Sequence, residues 1–164
     1  MKKLSFLATL NILLFSFSCT TSKSEQSDVP DGMVMLSLRE YGKPFLLFVP
    51  DTSTAKLSVE ENADGGLQIT AGKNFAITVY EQHADLSLKK QDVIADEINK
   101  LKRIIHEDER TFVWESAITS PEHHFVYNST IGNSAYSFSD ARGNQFSEAA
   151  ISTMSASAAS AHAE

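Results

Sequence analysis

"VIADEINKLKRIIHEDE" (Val93–Glu109) is the stretch on which the fold turns. Val93, Ile94, Ile98, Leu101, Ile104 and Ile105 fall at spacings of one, four, three, three and one, and Glu97, Lys100, Lys102 and Arg103 fill the gaps. An apolar stripe with a charged back is the pattern of a helix lying on a sheet. Asp85 or Ser87 is placed to cap its start, and the late Lys and Arg suit its negative end. The reading expected here is therefore one long helix.

On both sides of this stretch the period drops to two. Upstream, Met33–Leu38 and Phe45–Val49 flank the turn Tyr41-Gly42-Lys43-Pro44. Leu57 and Val59, then Leu67 and Ile69, then Phe75, Ile77 and Val79 continue the alternation, separated by turns at 62–66 and 72–74. Downstream, strands are expected over Thr111–Ile118, His123–Thr130 and Ala135–Ser139. Phe112, Trp114 and Ile118 share a face in the first. Phe125 and Tyr127 do so in the second, and Tyr136 and Phe138 in the third. A second helix is expected from about Asn144 to about Ser157, with Phe146, Ala150 and Met154 four residues apart. Five strands, a helix, three strands and a helix make one α+β domain, an antiparallel sheet with helices packed on it, over residues 32–157. Residues 158–164, small and polar, are expected to fray. The pattern loosely resembles the PsbP/Mog1-like sandwiches, a likeness of fold that carries no function.

Before the domain the composition changes twice. Met1-Lys2-Lys3 is a short basic start, and Leu4–Phe17 follows without a charge. A spanning helix needs about 20 apolar residues, so the run has the length of a secretory signal instead. Residues 20–31, "TTSKSEQSDVPD", hold one hydrophobic residue, Val29, and cannot offset their ordering entropy by burial. They read as a flexible tether of about 20 Å mean and about 40 Å greatest reach.

Ser16-Phe17-Ser18-Cys19 at this junction resembles the lipobox of bacterial lipoproteins. The resemblance covers about the first 19 residues. It implies a signal peptide over 1–18, cleavage between Ser18 and Cys19, and acylation of Cys19 as the start of a tethered segment over 19–31. The familiar box has Leu three residues before the cysteine and Ala or Gly just before it, where this chain has Ser16 and Ser18. In many Gram-negative members an Asp after the cysteine retains the protein in the inner membrane. Thr20 stands there, which directs the expectation to the outer membrane, facing the periplasm or cell surface. Several acyl chains would anchor firmly where one alone binds only marginally.

The rest of the chain narrows the chemistry. The net charge is −7, and two units more negative without Lys2 and Lys3, so phosphate backbones repel it and no nucleic acid is expected. A single cysteine excludes an internal disulfide and any multi-cysteine metal centre. No Gly-x-Ser-x-Gly elbow and no Gly-rich phosphate loop occurs. No cofactor, metal or catalytic residue is assigned. His123 and His124 are neighbours in an expected strand and point to opposite faces, so they are read as surface or edge groups. The alternative is a small envelope hydrolase or metal-dependent enzyme using them with nearby carboxylates. His106-Glu107-Asp108-Glu109 reads as a solvated helix end. Trp114 and its aromatic neighbours read as core rather than as a sugar platform. The function expected is that of a membrane-anchored, non-enzymatic binding or assembly module. Its partners are membrane lipid through Cys19 and an envelope protein meeting the hairpin face that carries Met33 and Met35.

Overall fold

In a computed structural model, the structure describes residues 29–51, 53 and 56–164. Ser18, Cys19, the expected signal peptide and most of the expected tether lie outside the described residues. Among the described residues the architecture is α+β, with two antiparallel sheets and two α-helices.

The upstream alternation forms β1 (Met33–Ser37), β2 (Phe45–Pro50), β3 (Leu57–Glu61), β4 (Leu67–Ala71) and β5 (Ala76–Tyr80). The first connection is a single 3-10 turn, Arg39–Tyr41, closed by Gly42 at φ 73°, a left-handed conformation that suits glycine. Helix α1 (Leu86–Ala95) begins at Asp85, whose side chain accepts from Leu88 N at 2.9 Å. Then follow β6 (Lys100–Glu107), β7 (Thr111–Ala117), β8 (Pro121–Ile131), β9 (Ser134–Asp140), α2 (Glu148–Ala159) and a short β10 (His162–Ala163).

The expected long helix is corrected here. Only Val93 and Ile94 of its stripe are helical; Leu101, Ile104 and Ile105 belong to β6. Asp96 ends the helix, because its carboxylate accepts from the amides of Ile98 and Asn99, both at 2.8 Å, and folds the chain into a turn. The false period arises from β6 itself. Its pairing with β7 shifts register between Leu101 and Arg103 and again between Ile104 and His106. Each irregularity inserts a residue, so the apolar repeat lengthens beyond two and imitates a helix. His106 and Glu107 thus end a strand rather than a helix, and three expected downstream strands become four.

The C-terminal tail is the second correction. It is not frayed: His162 and Ala163 pair with Leu46 and Phe45 of β2, and Glu164 takes hydrogen bonds from Ser37 and Arg39.

The larger sheet runs β3-β4-β5-β9-β8-β7-β6, and the smaller β1-β2-β10. The larger one is two meanders joined where β9 returns beside β5. Its inner face carries Ile69, Ile77, Val79, Phe125, Tyr127 and Phe138, packed with Phe45, Leu47 and Val49 of β2 and with Ile151 and Met154 of α2. Phe45 meets Tyr136 edge-on at 4.9 Å between ring centroids. The outer face is covered only on one side. There α1 and the residues before it put Val93, Ala84 and Leu86 on Phe112, Trp114 and Val126. Asn128 pins this crossover, because its amide accepts from Ala84 N at 2.9 Å and donates to Ala84 O at 2.8 Å. No helix among the described residues is long and apolar enough to cross a membrane.

Candidate functional site

Helix α1 runs from β5, near the middle of the sheet, to β6 at its edge. Among the described residues, nothing covers the outer face between α1 and residues 141–145, and a cleft of about 670 Å³ lies there. Its floor follows from the strand period. Residues two apart from the buried Val79 and Phe138 would be core, so their neighbours Thr78, Ser137 and Ser139 face outward and bring hydroxyls to the floor.

His124 forms one wall. Its ring stacks on Trp114, 5.2 Å between centroids and 29° between planes, and Trp114 stacks in turn on Phe112 at 4.7 Å. Trp114 is only 6% exposed, so the core reading of this residue holds even though it also lines the cleft. The ammonium of Lys89, from α1, sits 5.4 Å from the Trp114 ring.

Asp140 fixes His124. The ladder between β8 and β9 stops at Val126 and Ser139, and one residue further the strands part. The Asp140 carboxylate fills the gap: one oxygen accepts from the amide of Phe125 at 2.9 Å and the other lies 2.8 Å from His124 Nδ1. In the tautomer that carries its proton on Nδ1, His124 donates to Asp140 and Nε2 is an acceptor. The nearest carboxylate to it is Glu122, 3.9 Å away, which is itself held by Gln145 Nε2 at 2.7 Å.

Ser116, beside Glu122 in the β7–β8 ladder, is 2% exposed and lines the cleft. Its hydroxyl is the one buried side-chain polar atom without a hydrogen-bond partner among the described residues. At the rim, Tyr80 donates to Asp64 at 2.8 Å, which holds that carboxyl below its ordinary range, with the Gly66 amide and Arg142 adding to the effect. Burial first, and then the Asp64 carboxylate, pushes the Tyr80 phenol up.

No family model matches this chain, and no curated protein or solved structure matches it either.

The residues singled out from sequence are dispersed. His124 is in the cleft, whereas His123 faces the other side of the sheet. There its Nδ1 lies 3.2 Å from the Phe146 carbonyl, and its Nε2 lies 3.8 Å from both Glu115 and Glu148. Arg103 bridges those same two carboxylates at 2.6 Å each. Met33 and Met35 pair opposite Pro50 and Phe48 in the smaller sheet and do not line the cleft. Met35 is 39% exposed, while Val34 and Leu36 pack on the core. His106, near the end of β6, bonds at 2.9 Å with Asp108 of the exposed turn that follows. Among the described residues, no group of three or more His, Cys, Asp and Glu side chains is arranged to hold a metal ion.

Asp140, Ser116, Glu122 and Gln145 had no sequence signal as site residues. Only the alternation of Ser137 and Ser139 with the aromatic core residues marks a polar second face.

Proposed function

We propose that the chain is a membrane-anchored cell-envelope lipoprotein whose folded part is a non-enzymatic binding module, with the outer-face cleft as its binding site. The observation that carries this reading is the cleft wall: an imidazole oriented by Asp140 beside a buried Ser116 hydroxyl with no hydrogen-bond partner among the described residues. A volume of about 670 Å³ fits a small molecule. Orienting polar groups before a ligand arrives lowers the cost of binding it. Binding is favoured over hydrolysis because the Ser116 hydroxyl makes no hydrogen bond to His124, and His123, the other histidine of the pair, is on the opposite face. The likeness to PsbP/Mog1-like sandwiches belongs to this proposal too; an antiparallel sheet lying between α1 and α2 supports it.

The anchor is Cys19, with Ser18 as the last residue of the signal and the outer membrane as the location. Labelled palmitate is expected to enter the wild type and not Cys19→Ser. For the cleft, Trp114 is the only tryptophan, so its emission reports occupancy. The full chain in detergent micelles is titrated with a low-molecular-mass extract of the cell envelope. A saturable change is expected in the wild type and in His123→Ala, and none in His124→Ala. The same response in all three proteins, or no response in any, defeats the binding reading.

Met35, exposed on β1, supports a second surface for an envelope protein. Met33→Glu and Met35→Glu would abolish partner recovery in a pulldown if that surface is used; unchanged recovery would discard it.

A further inference from the structure

We infer that the cleft takes a neutral, polyhydroxylated ligand, a saccharide unit, an inference that rests on the cleft being the binding site. The floor offers hydroxyls from Thr78, Ser137 and Ser139, and Ser116 adds one that is buried and unpartnered. A hydroxyl both donates and accepts, and another hydroxyl matches it in either role. A buried hydroxyl left without a partner is costly, so a ligand that supplies one gains affinity at that atom.

The walls fit the same chemistry. Glu122 and His124 present planar polar groups, each held by a side-chain hydrogen bond, with Gln145 and Asp140 respectively. Polar groups fixed in this way read the directions of ring hydroxyls. The His124 ring, backed by Trp114, gives a flat surface for the C–H face of a sugar ring.

Charge argues against an ionic ligand. Asp140 is met by His124 and the Phe125 amide, and Asp96 by the amides of Ile98 and Asn99. Lys89 lies over Trp114. Asp64 is met by Tyr80, and Arg142 is near enough to lower the Asp64 carboxyl further. The lining thus holds four carboxylates, Asp64, Asp96, Glu122 and Asp140, against two cations, Lys89 and Arg142, which repels an anion, and the three aspartates already take hydrogen bonds from the protein, so a cation would have to compete for them.

The test uses the full chain in a detergent without a sugar headgroup and follows Trp114 emission. The probes are maltose, N,N′-diacetylchitobiose, glycylglycine and inorganic phosphate. Saturation with at least one disaccharide is expected, with about tenfold weaker binding in Ser116→Val, the loss of one hydrogen bond. Circular dichroism of that variant checks that it is folded, and His124→Ala provides a second cleft variant. Saturation only with glycylglycine or phosphate overturns the saccharide assignment and leaves the cleft as a binding site. A response to the envelope extract but to no probe does the same. Undiminished disaccharide affinity in both Ser116→Val and His124→Ala overturns the assignment as well. Silence toward extract and probes alike brings down the binding reading itself.

Discussion

The two faces of the seven-stranded sheet are made by the same strands, often by adjacent residues, yet they have opposite fates. Phe138 is fully buried against Phe45 and Tyr127, while Ser137 and Ser139 on either side of it line a cleft. On the inner face a second sheet and α2 close over aromatic and branched side chains. On the outer face α1 covers the β6–β7 side and leaves the rest to hydroxyls. The difference teaches that a packed core and an open polar cleft are divided by strand parity. A residue's side of the sheet, more than its place along the chain, decides what it contributes.

The largest effect should come from breaking the inner face. Phe138→Ala is expected to cost about 3–5 kcal/mol of unfolding free energy, as removal of a buried aromatic ring does. Its neighbour Ser139→Ala should change stability by no more than about 0.5 kcal/mol. Urea unfolding of the two variants measures the contrast. Similar losses would mean that the faces share the work of stabilisation.

Asp140 is where the comparison sharpens, because it serves both sides: it completes the backbone pairing of Phe125, an inner-face residue, and orients His124 in the cleft. Asp140→Ala leaves the Phe125 amide unpaired and is expected to cost about 1–3 kcal/mol. Hydrogen exchange at Phe125 should accelerate well beyond that at Tyr127. Uniform acceleration would show only a general loss of stability.

Sequence made the inner face legible and the site largely illegible. Ile77, Val79, Phe125, Tyr127, Tyr136 and Phe138 announce their side by alternation, which is a local signal. Helix α2 was legible from Ala150 and Met154, both buried, but it starts at Glu148 and leaves the equally buried Phe146 in the segment before it. Val93–Glu109 misled because the bulges of β6 stretch a period of two, and because the brake at Asp96 is a side-chain bond that composition does not reveal. The Asp140–His124 contact joins residues on two strands that part at that point, so no local pattern encodes it. Residues 162–164 look like a loose end, but the free edge of β2 gives them a pairing partner.

Gly66 tests how tightly the rim of the outer face is built. A Cβ placed there would lie 2.7 Å from Thr78 Cγ2 and 2.8 Å from Tyr80 Cε1. Gly66→Ala must therefore displace the Tyr80 ring, which donates to Asp64, and is expected to cost about 1–2 kcal/mol. Thermal unfolding measures the cost, and weaker occupancy of the cleft by Trp114 emission should accompany it. A stable variant with normal Trp114 response would show that the rim yields without consequence.

The smallest effect separates both faces from the turn that joins β6 to β7. Asp108 accepts from the amides of Arg110 and Thr111 and bonds to His106. The Arg110 amide first, and then His106, lowers its carboxyl from 3.8 to about 2. A carboxyl depressed on folding stabilises the folded chain fully above its unfolded value. That contribution fades as pH falls from about 4 through about 2. Because the group is half exposed, solvent screens the contribution and the effect is small. Asp108→Asn retains an oxygen acceptor for the turn but cannot titrate, so its stability should decline less steeply than the wild type's across that window. Urea unfolding at a series of pH values reads the difference. Asp64→Asn gives the matching measurement at the cleft rim, since the Tyr80 bond depresses that carboxyl in the same direction. If Asp64→Asn flattens the acid limb more than Asp108→Asn does, acid sensitivity belongs to the cleft, and the outer face contributes more to stability than its hydroxyl floor implies.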